Sequence, residues 1–180
     1  MPRHVAFLRA INVGGRNVKM QALVALFEGL GFTQVSTFIA SGNVIFSSTS
    51  SSVKKLTQQI EAELLRELGY EVATFLRTPE QVAAAARATP FPQPAMAQAQ
   101  AFNIGFLAQA LSATQAARLQ TLRSPVDEFV SVGSEVFWLC RVRQSDSKFS
   151  NAVMERALGL SASFRSINTV QRLAESLASP

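Results

Sequence analysis

An order of secondary-structure elements that runs twice along the chain constrains this fold more than any single motif. His4 to Ile11 is a short apolar run broken only by Arg9, which predicts a strand entering the loop Asn12-Val13-Gly14-Gly15-Arg16-Asn17. From Met20, the apolar positions Leu23, Val24, Phe27 and Leu30 keep helical spacing, and Gly31 supplies a C-terminal cap. Val35 to Ala40 and Val44 to Phe46 flank Ser41-Gly42-Asn43, a pattern that predicts a hairpin. Val53, Leu56, Ile60, Leu64 and Leu68 form a second helical stripe closed by Gly69, and Glu71 to Arg77 is strand-like. Thr78 as N-cap and Pro79 in the first helical position open a short Ala-rich helix.

Residues 89–100 hold three prolines and no charge, which marks a linker between a first unit, 1–88, and a second, 101–180. Beyond it the same order returns. A strand is expected over Phe102–Leu107, a helix over Ser112–Leu122, and strands over Glu128–Val132 and Glu135–Arg141 around a Gly133-Ser134 turn. A helix over Phe149–Leu158, an extended piece over Ser163–Ser166 and a helix carrying Val170, Leu173, Ala174 and Leu177 complete the half. Each half therefore reads βαββαβ followed by a helix. The fold class is α+β, a tandem duplication of two ferredoxin-like units, carried by element order and not by matched residues.

Several kinds of chemistry are excluded or disfavoured. Cys140 is the only cysteine and His4 the only histidine, so neither an internal disulfide nor a soft-ligand metal site can be assembled, and no cofactor is implied. His4 opens an apolar strand and is expected to be structural, while Cys140 alternates with Val136 and Trp138 as a core thiol. The apolar runs, such as Val5–Leu8 and Phe137–Cys140, are far too short to span a membrane. The start of the chain has no leader-like apolar region, so a cytoplasmic protein is expected. The carboxylates, including Glu61, Glu63, Glu67, Asp127 and Glu128, read as solvated, which leaves no evident general acid or base.

Charge is more informative by position than by total. The net charge is +5 and the isoelectric point about 10.1, yet the longest basic run is Lys54-Lys55, unlike a polymer-wide nucleic-acid surface. The first acidic residue is Glu28, and Arg3, Arg9, Arg16 and Lys19 precede it; the remaining 13 basic residues face 12 acidic ones. The excess is thus local to the first strand and the loop after it.

That loop is the leading candidate site. Arg9, Asn12, Gly14, Gly15, Arg16 and Lys19 surround a glycine pair between a strand and a helix, where backbone N–H groups and cations suit an anion. The loop is neither a Walker A sequence nor a dinucleotide fingerprint, and a plain turn with Asn17 capping the helix is the competing explanation. Ser41, Gly42 and Asn43 form a second candidate, and Arg165, Asn168 and Thr169 a third, with Asn168 expected as N-cap and Gln171 completing a capping box. The partner best suited to these residues is a small anion, a phosphate-bearing metabolite or nucleotide. Three alternatives stay open: nucleic acid bound through a sheet face, an enzyme using Ser41 or Asn43 with Arg165, and a structural or oligomeric module without ligand.

Taken as a set, Ala6-Phe7-Leu8-Arg9-Ala10-Ile11-Asn12-Val13-Gly14-Gly15, Lys19-Met20, Gly31-Phe32, Val35 and Thr37 through Ser41-Gly42-Asn43-Val44 resemble the bacterial family called domain of unknown function 1697. Pro90-Phe91-Pro92, Ser147-Lys148 and Arg165 to Thr169 with Leu173-Ala174-Glu175 continue the resemblance. It implies two tandem ferredoxin-like halves and no established activity. Arg9, Asn12, Gly14, Gly15, Ser41, Gly42, Asn43, Arg165, Asn168 and Thr169 match the family pattern; Phe38, Ala40, Ser166 and Ile167 depart from it.

Overall fold

The computed structural model describes residues 1–12, 15–39 and 42–179. They form two compact units, Met1–Gln81 and Val82–Pro180.

In the first unit the order is β1 (Arg3–Leu8), α1 (Met20–Gly29), β2 (Thr33–Thr37), β3 (Asn43–Ser47), α2 (Val53–Leu68) and β4 (Thr74–Arg77), with α3 (Pro79–Arg87) following. The sheet order is β2-β3-β1-β4, and every pairing is antiparallel. Because side chains alternate along a strand, Ala6, Leu8, Val44, Phe46 and Leu76 share the face that meets Leu23, Phe27, Leu56, Ile60 and Leu64 of the two helices. Phe27, Phe32 and Phe46 pack ring to ring within this core, with centroids 4.5 to 6.0 Å apart. His4 is buried beside Phe46 and its Nε2 lies 3.3 Å from the Ser50 carbonyl, a structural position.

The second unit repeats the plan with α4 (Gln93–Ala97), β5 (Ala101–Phe106), α5 (Ala113–Gln120), β6 (Asp127–Val132), β7 (Glu135–Cys140), α6 (Asn151–Leu158), β8 (Ser163–Ser166) and α7 (Ile167–Ala178). Its sheet order, β6-β7-β5-β8, is the same sequence of roles. Register makes the repeat residue-specific. Leu8 N donates to Gly42 O at 2.9 Å, and Leu107 N donates to Ser134 O at 2.9 Å. Val5 opposes Arg77 as Ile104 opposes Arg165. Aligned this way, Ala6 corresponds to Gly105, Phe46 to Trp138, and Arg77 to Arg165.

The faces turned away from these helices are buried as well. Val5, Phe7, Ile45 and Phe75 line that face in the first sheet, and Ile104, Phe106, Phe137 and Leu139 in the second; all lie in the core. The central strands β1 and β3, and β5 and β7, are therefore buried on both faces, which explains why they read as continuous apolar runs, whereas the edge strand β2 is largely exposed.

Local details differ from the sequence expectations where two residues compete for one role. The division between units falls inside α3, ahead of 89–100, and that segment is not an open tether: it holds α4 and buried Phe91. α1 starts from Lys19 with no side-chain cap, so Asn17 does not cap it. α7 is capped by Ser166, whose hydroxyl accepts from Thr169 N at 3.2 Å; Asn168 and Thr169 sit in the first turn and the Asn168–Gln171 box is not formed. α6 likewise begins after Ser150, two residues later than expected, because Phe149 turns into the core against Phe129 and Trp138. Thr78 caps α3 as expected, and Ser112, expected as the first helical residue, is the N-cap of α5; each is in reciprocal hydrogen bonds with the residue three positions on.

Candidate functional site

The chain leaves β1 between two backbone clamps. Leu8 N donates to Gly42 O, and Arg9 N donates to Ala73 O, each at 2.9 Å. The path then turns through Ala10 at φ 51°, so Ile11 folds back against the hairpin. Gly42, at φ 77°, lies so close that a Cβ there would stand 2.7 Å from Ile11 Cγ2 and 3.3 Å from Leu8 Cβ. This turn needs glycine for both its conformation and its contact.

Two side-chain amides close the neighbouring loops. Asn12 Oδ1 accepts from Val18 N at 2.8 Å, bridging the base of the glycine loop. Asn43 is a β3 residue, not the last residue of a tight turn, and its buried Nδ2 donates to Phe38 O at 2.9 Å. The longer connection contains Ile39 at φ 57°, an uncommon conformation for a β-branched side chain. Left-handed backbone at Ala10 and Ile39 costs about 1–2 kcal/mol each, and such strain gathers where a structure holds a site.

Tyr70, absent from the sequence-based candidates, anchors the cationic side of the loop. Its hydroxyl donates to Ile11 O at 3.3 Å, and the Arg16 guanidinium carbon lies 4.0 Å from its ring centroid. This stack fixes a cation that is otherwise on an exposed loop. Among the described residues neither Arg16 nor Lys19 has a carboxylate partner. Arg9, Asn12, Gly15, Arg16, Lys19, Gly42 and Asn43 thus collect around one end of the first sheet. Gly14 and Ser41 lie outside the described residues. His4 stands toward the opposite end of β1 and offers this region no base.

The second unit shows what the same scaffold does without those residues. Leu107 and Ser134 make the equivalent clamp, yet the chain passes from it to the Ser112 N-cap of α5 through Ala108-Gln109-Ala110-Leu111, with no charged residue. In the first unit the corresponding connection runs from Arg9 to the Lys19 N-cap and carries three cations. Bridging strand to helix in this fold requires neither the length nor the charge of the first loop.

Arg165, Asn168 and Thr169 belong to the second unit. Arg165 Nη1 donates to Ser163 Oγ at 2.8 Å and to Phe164 O at 2.9 Å, and burial pushes its pKa down to about 10. Arg77 makes the matching bond to Leu76 O at 2.8 Å. The two arginines are therefore one repeated feature of the scaffold, each tied to its own strand.

Asp127 corrects the expectation of a solvated carboxylate. It is only 2% exposed and accepts from Trp138 Nε1 at 2.8 Å, Ser124 Oγ at 3.0 Å and Ser147 Oγ at 2.7 Å. Its neighbour across the sheet, Cys140, is buried, and burial pushes the thiol up. The thiol is expected to resist alkylation or disulfide-exchange reagents in the native protein near neutral pH and to react on unfolding. A native reaction rate equal to that of the unfolded chain would contradict the buried placement. Among the described residues no group of three or more metal-binding side chains is gathered, and no helix is long and apolar enough to cross a membrane.

Comparison with known proteins agrees with this architecture. A family model described as "Protein of unknown function (DUF1697)" matches residues 1–137. The structure of a conserved bacterial protein from Streptococcus pneumoniae superposes with a TM-score of 0.77 at 22% identity, covering 99% of each chain, a likeness of fold. No curated protein matches the sequence.

Proposed function

The chain belongs to the family of unknown function DUF1697, and we propose that within this shared fold its first unit binds a small anion, a phosphate-bearing metabolite or nucleotide, at the end of β1. Arg9, Arg16 and Lys19 supply the positive charge. The loop backbone at Gly15 supplies an N–H donor, and Asn12, Tyr70 and Gly42 hold the loop in place. The observation that carries this reading is the contrast between the two copies of one connection: cationic and long in the first unit, short and uncharged in the second.

Burial of the aromatic side chains of the central strands, Phe7, Phe46, Phe102, Phe106, Phe137 and Trp138, favours this reading over a sheet-face nucleic-acid module, because stacking on bases needs exposed aromatic side chains. Asn43 is engaged within its own hairpin and the Glu61 carboxylate at this end of the sheet is held by Thr74 N, which favours binding over catalysis by these residues.

Calorimetry against inorganic phosphate, pyrophosphate, nucleotides and sugar phosphates tests the proposal. Charge-assisted hydrogen bonds contribute about 1.5–3 kcal/mol each, so Arg9→Ala with Arg16→Ala is expected to weaken a bound phosphate compound by at least tenfold. Added salt is expected to weaken it as well. No ligand in the screen, or equal binding by a correctly folded double variant, would overturn the proposal.

A further inference from the structure

A cavity of about 660 Å³ lies wholly within the second unit, between the end of α3, the α4 segment, the start of β5 and the start of α7. Its position follows from the sequence. α3 stops at Arg87 ahead of Pro90, and the chain turns through Pro90-Phe91-Pro92 before α4. Buried Phe91 meets Phe102 edge to face with ring centroids 5.9 Å apart, and Gln100 N donates to Cys140 O at 2.8 Å, so the far wall is pinned to the sheet. Four alanines leave the space open, and Met96, Phe102 and Ile167 give it apolar walls.

The polar lining is sparse and of one sign. Among the described residues Arg87 is the single charged residue that lines the cavity; Thr89, Gln100 and Gln171 are neutral, and no carboxylate lines it. The volume falls in the range of small-molecule pockets, roughly 300–1,000 Å³. One cation with only neutral donors beside it, Thr89, Gln100 and Gln171, matches a singly charged head better than a phosphate dianion, and the apolar walls call for an apolar body. From this charge and wall chemistry we infer that the cavity is a second ligand site, for a small amphipathic carboxylate whose planar apolar body lies between Met96, Phe102 and Ile167 with its carboxylate at Arg87. The site is separate from the anion site of the first unit and does not rest on it.

The test uses the full chain, with 2-naphthoate as probe and 2-naphthamide as its uncharged counterpart. Calorimetry is expected to show saturable naphthoate binding that is stronger than naphthamide binding. Arg87→Gln, a change at an exposed residue, is expected to weaken naphthoate about tenfold, the loss of one charge-assisted contact, and to leave naphthamide unchanged. Ala99→Trp, which places a large ring on the cavity wall, should weaken both, whereas Arg9→Ala with Arg16→Ala should alter neither. Absence of saturable naphthoate binding, equal affinity for both probes, or an Arg87→Gln variant that binds naphthoate undiminished would overturn the inference.

Discussion

Replacement of Gly42 by alanine is expected to destabilise the protein by about 2–4 kcal/mol, the sum of a left-handed backbone penalty near 1 kcal/mol or more and an overpacking cost of about 1–3 kcal/mol. The added methyl would stand 2.7 Å from Ile11 Cγ2 and 3.3 Å from Leu8 Cβ, and neither side chain has room to yield because both are buried. Gly31 provides the control. It has an equally left-handed φ of 85° and nothing within 4 Å of its virtual Cβ, so Gly31→Ala should incur the backbone penalty alone, about 1 kcal/mol. Denaturant unfolding of the two variants separates conformation from contact. Equal losses would mean that the hairpin turn does not seat on the loop after β1, and the candidate site would lose its geometric basis.

A loss of about 3–5 kcal/mol is expected from Asp127→Ala. The carboxylate gathers Trp138 Nε1 with the Ser124 and Ser147 hydroxyls, and its removal strands the buried Trp138 donor, releases both hydroxyls and opens a void. The hydroxyls organise the chain around them, since Ser124 Oγ accepts from Val126 N and Asp127 N, and Ser147 Oγ accepts from Phe149 N. Asp127→Asn should be milder, because an amide oxygen still accepts from Trp138 and Ser147 Oγ keeps one lone pair that can accept from the amide nitrogen, whereas both lone pairs of Ser124 Oγ already serve backbone N–H groups. Unfolding free energies of the two variants decide the point. An alanine variant no less stable than the asparagine variant would show that this network contributes nothing to the fold.

The contrast between what was legible and what was not follows from the range of the interactions. Leu56, Ile60 and Leu64 announce their helix because one-turn periodicity is a local property, and Thr78 announces its cap because the partner is three residues away. Ser166 took the cap expected of Asn168 because either residue type suits an N-cap and only the register of β8 on β5 decides where the strand ends. Asp127 looked solvated because its partners come from three separate segments, and a carboxylate at a strand start carries no local mark of burial. The candidate site divides the same way. The cations of the first loop were visible as a local charge excess; Tyr70 under Arg16, and the contact of Gly42 with Ile11, join segments far apart in sequence. Asn43 was legible as important but not as a strand residue, since its role depends on a carbonyl across the hairpin.

The repeat itself sharpened most. Element order implied two halves, and register identifies Leu8 with Leu107, Gly42 with Ser134 and Arg77 with Arg165. Features present in both copies, such as the arginine tied to its own β4 or β8 carbonyl, belong to the scaffold. Features present in one copy, above all the cationic loop, remain to be explained by function.

Amide chemical-shift mapping of the full chain during a pyrophosphate titration tests that conclusion most directly. The account predicts saturable shifts confined to residues 9–19 and 42–43, with the equivalent backbone of the second unit, 107–112 and 133–135, unmoved. Absence of saturable shifts, or shifts of equal size in both copies, would contradict it.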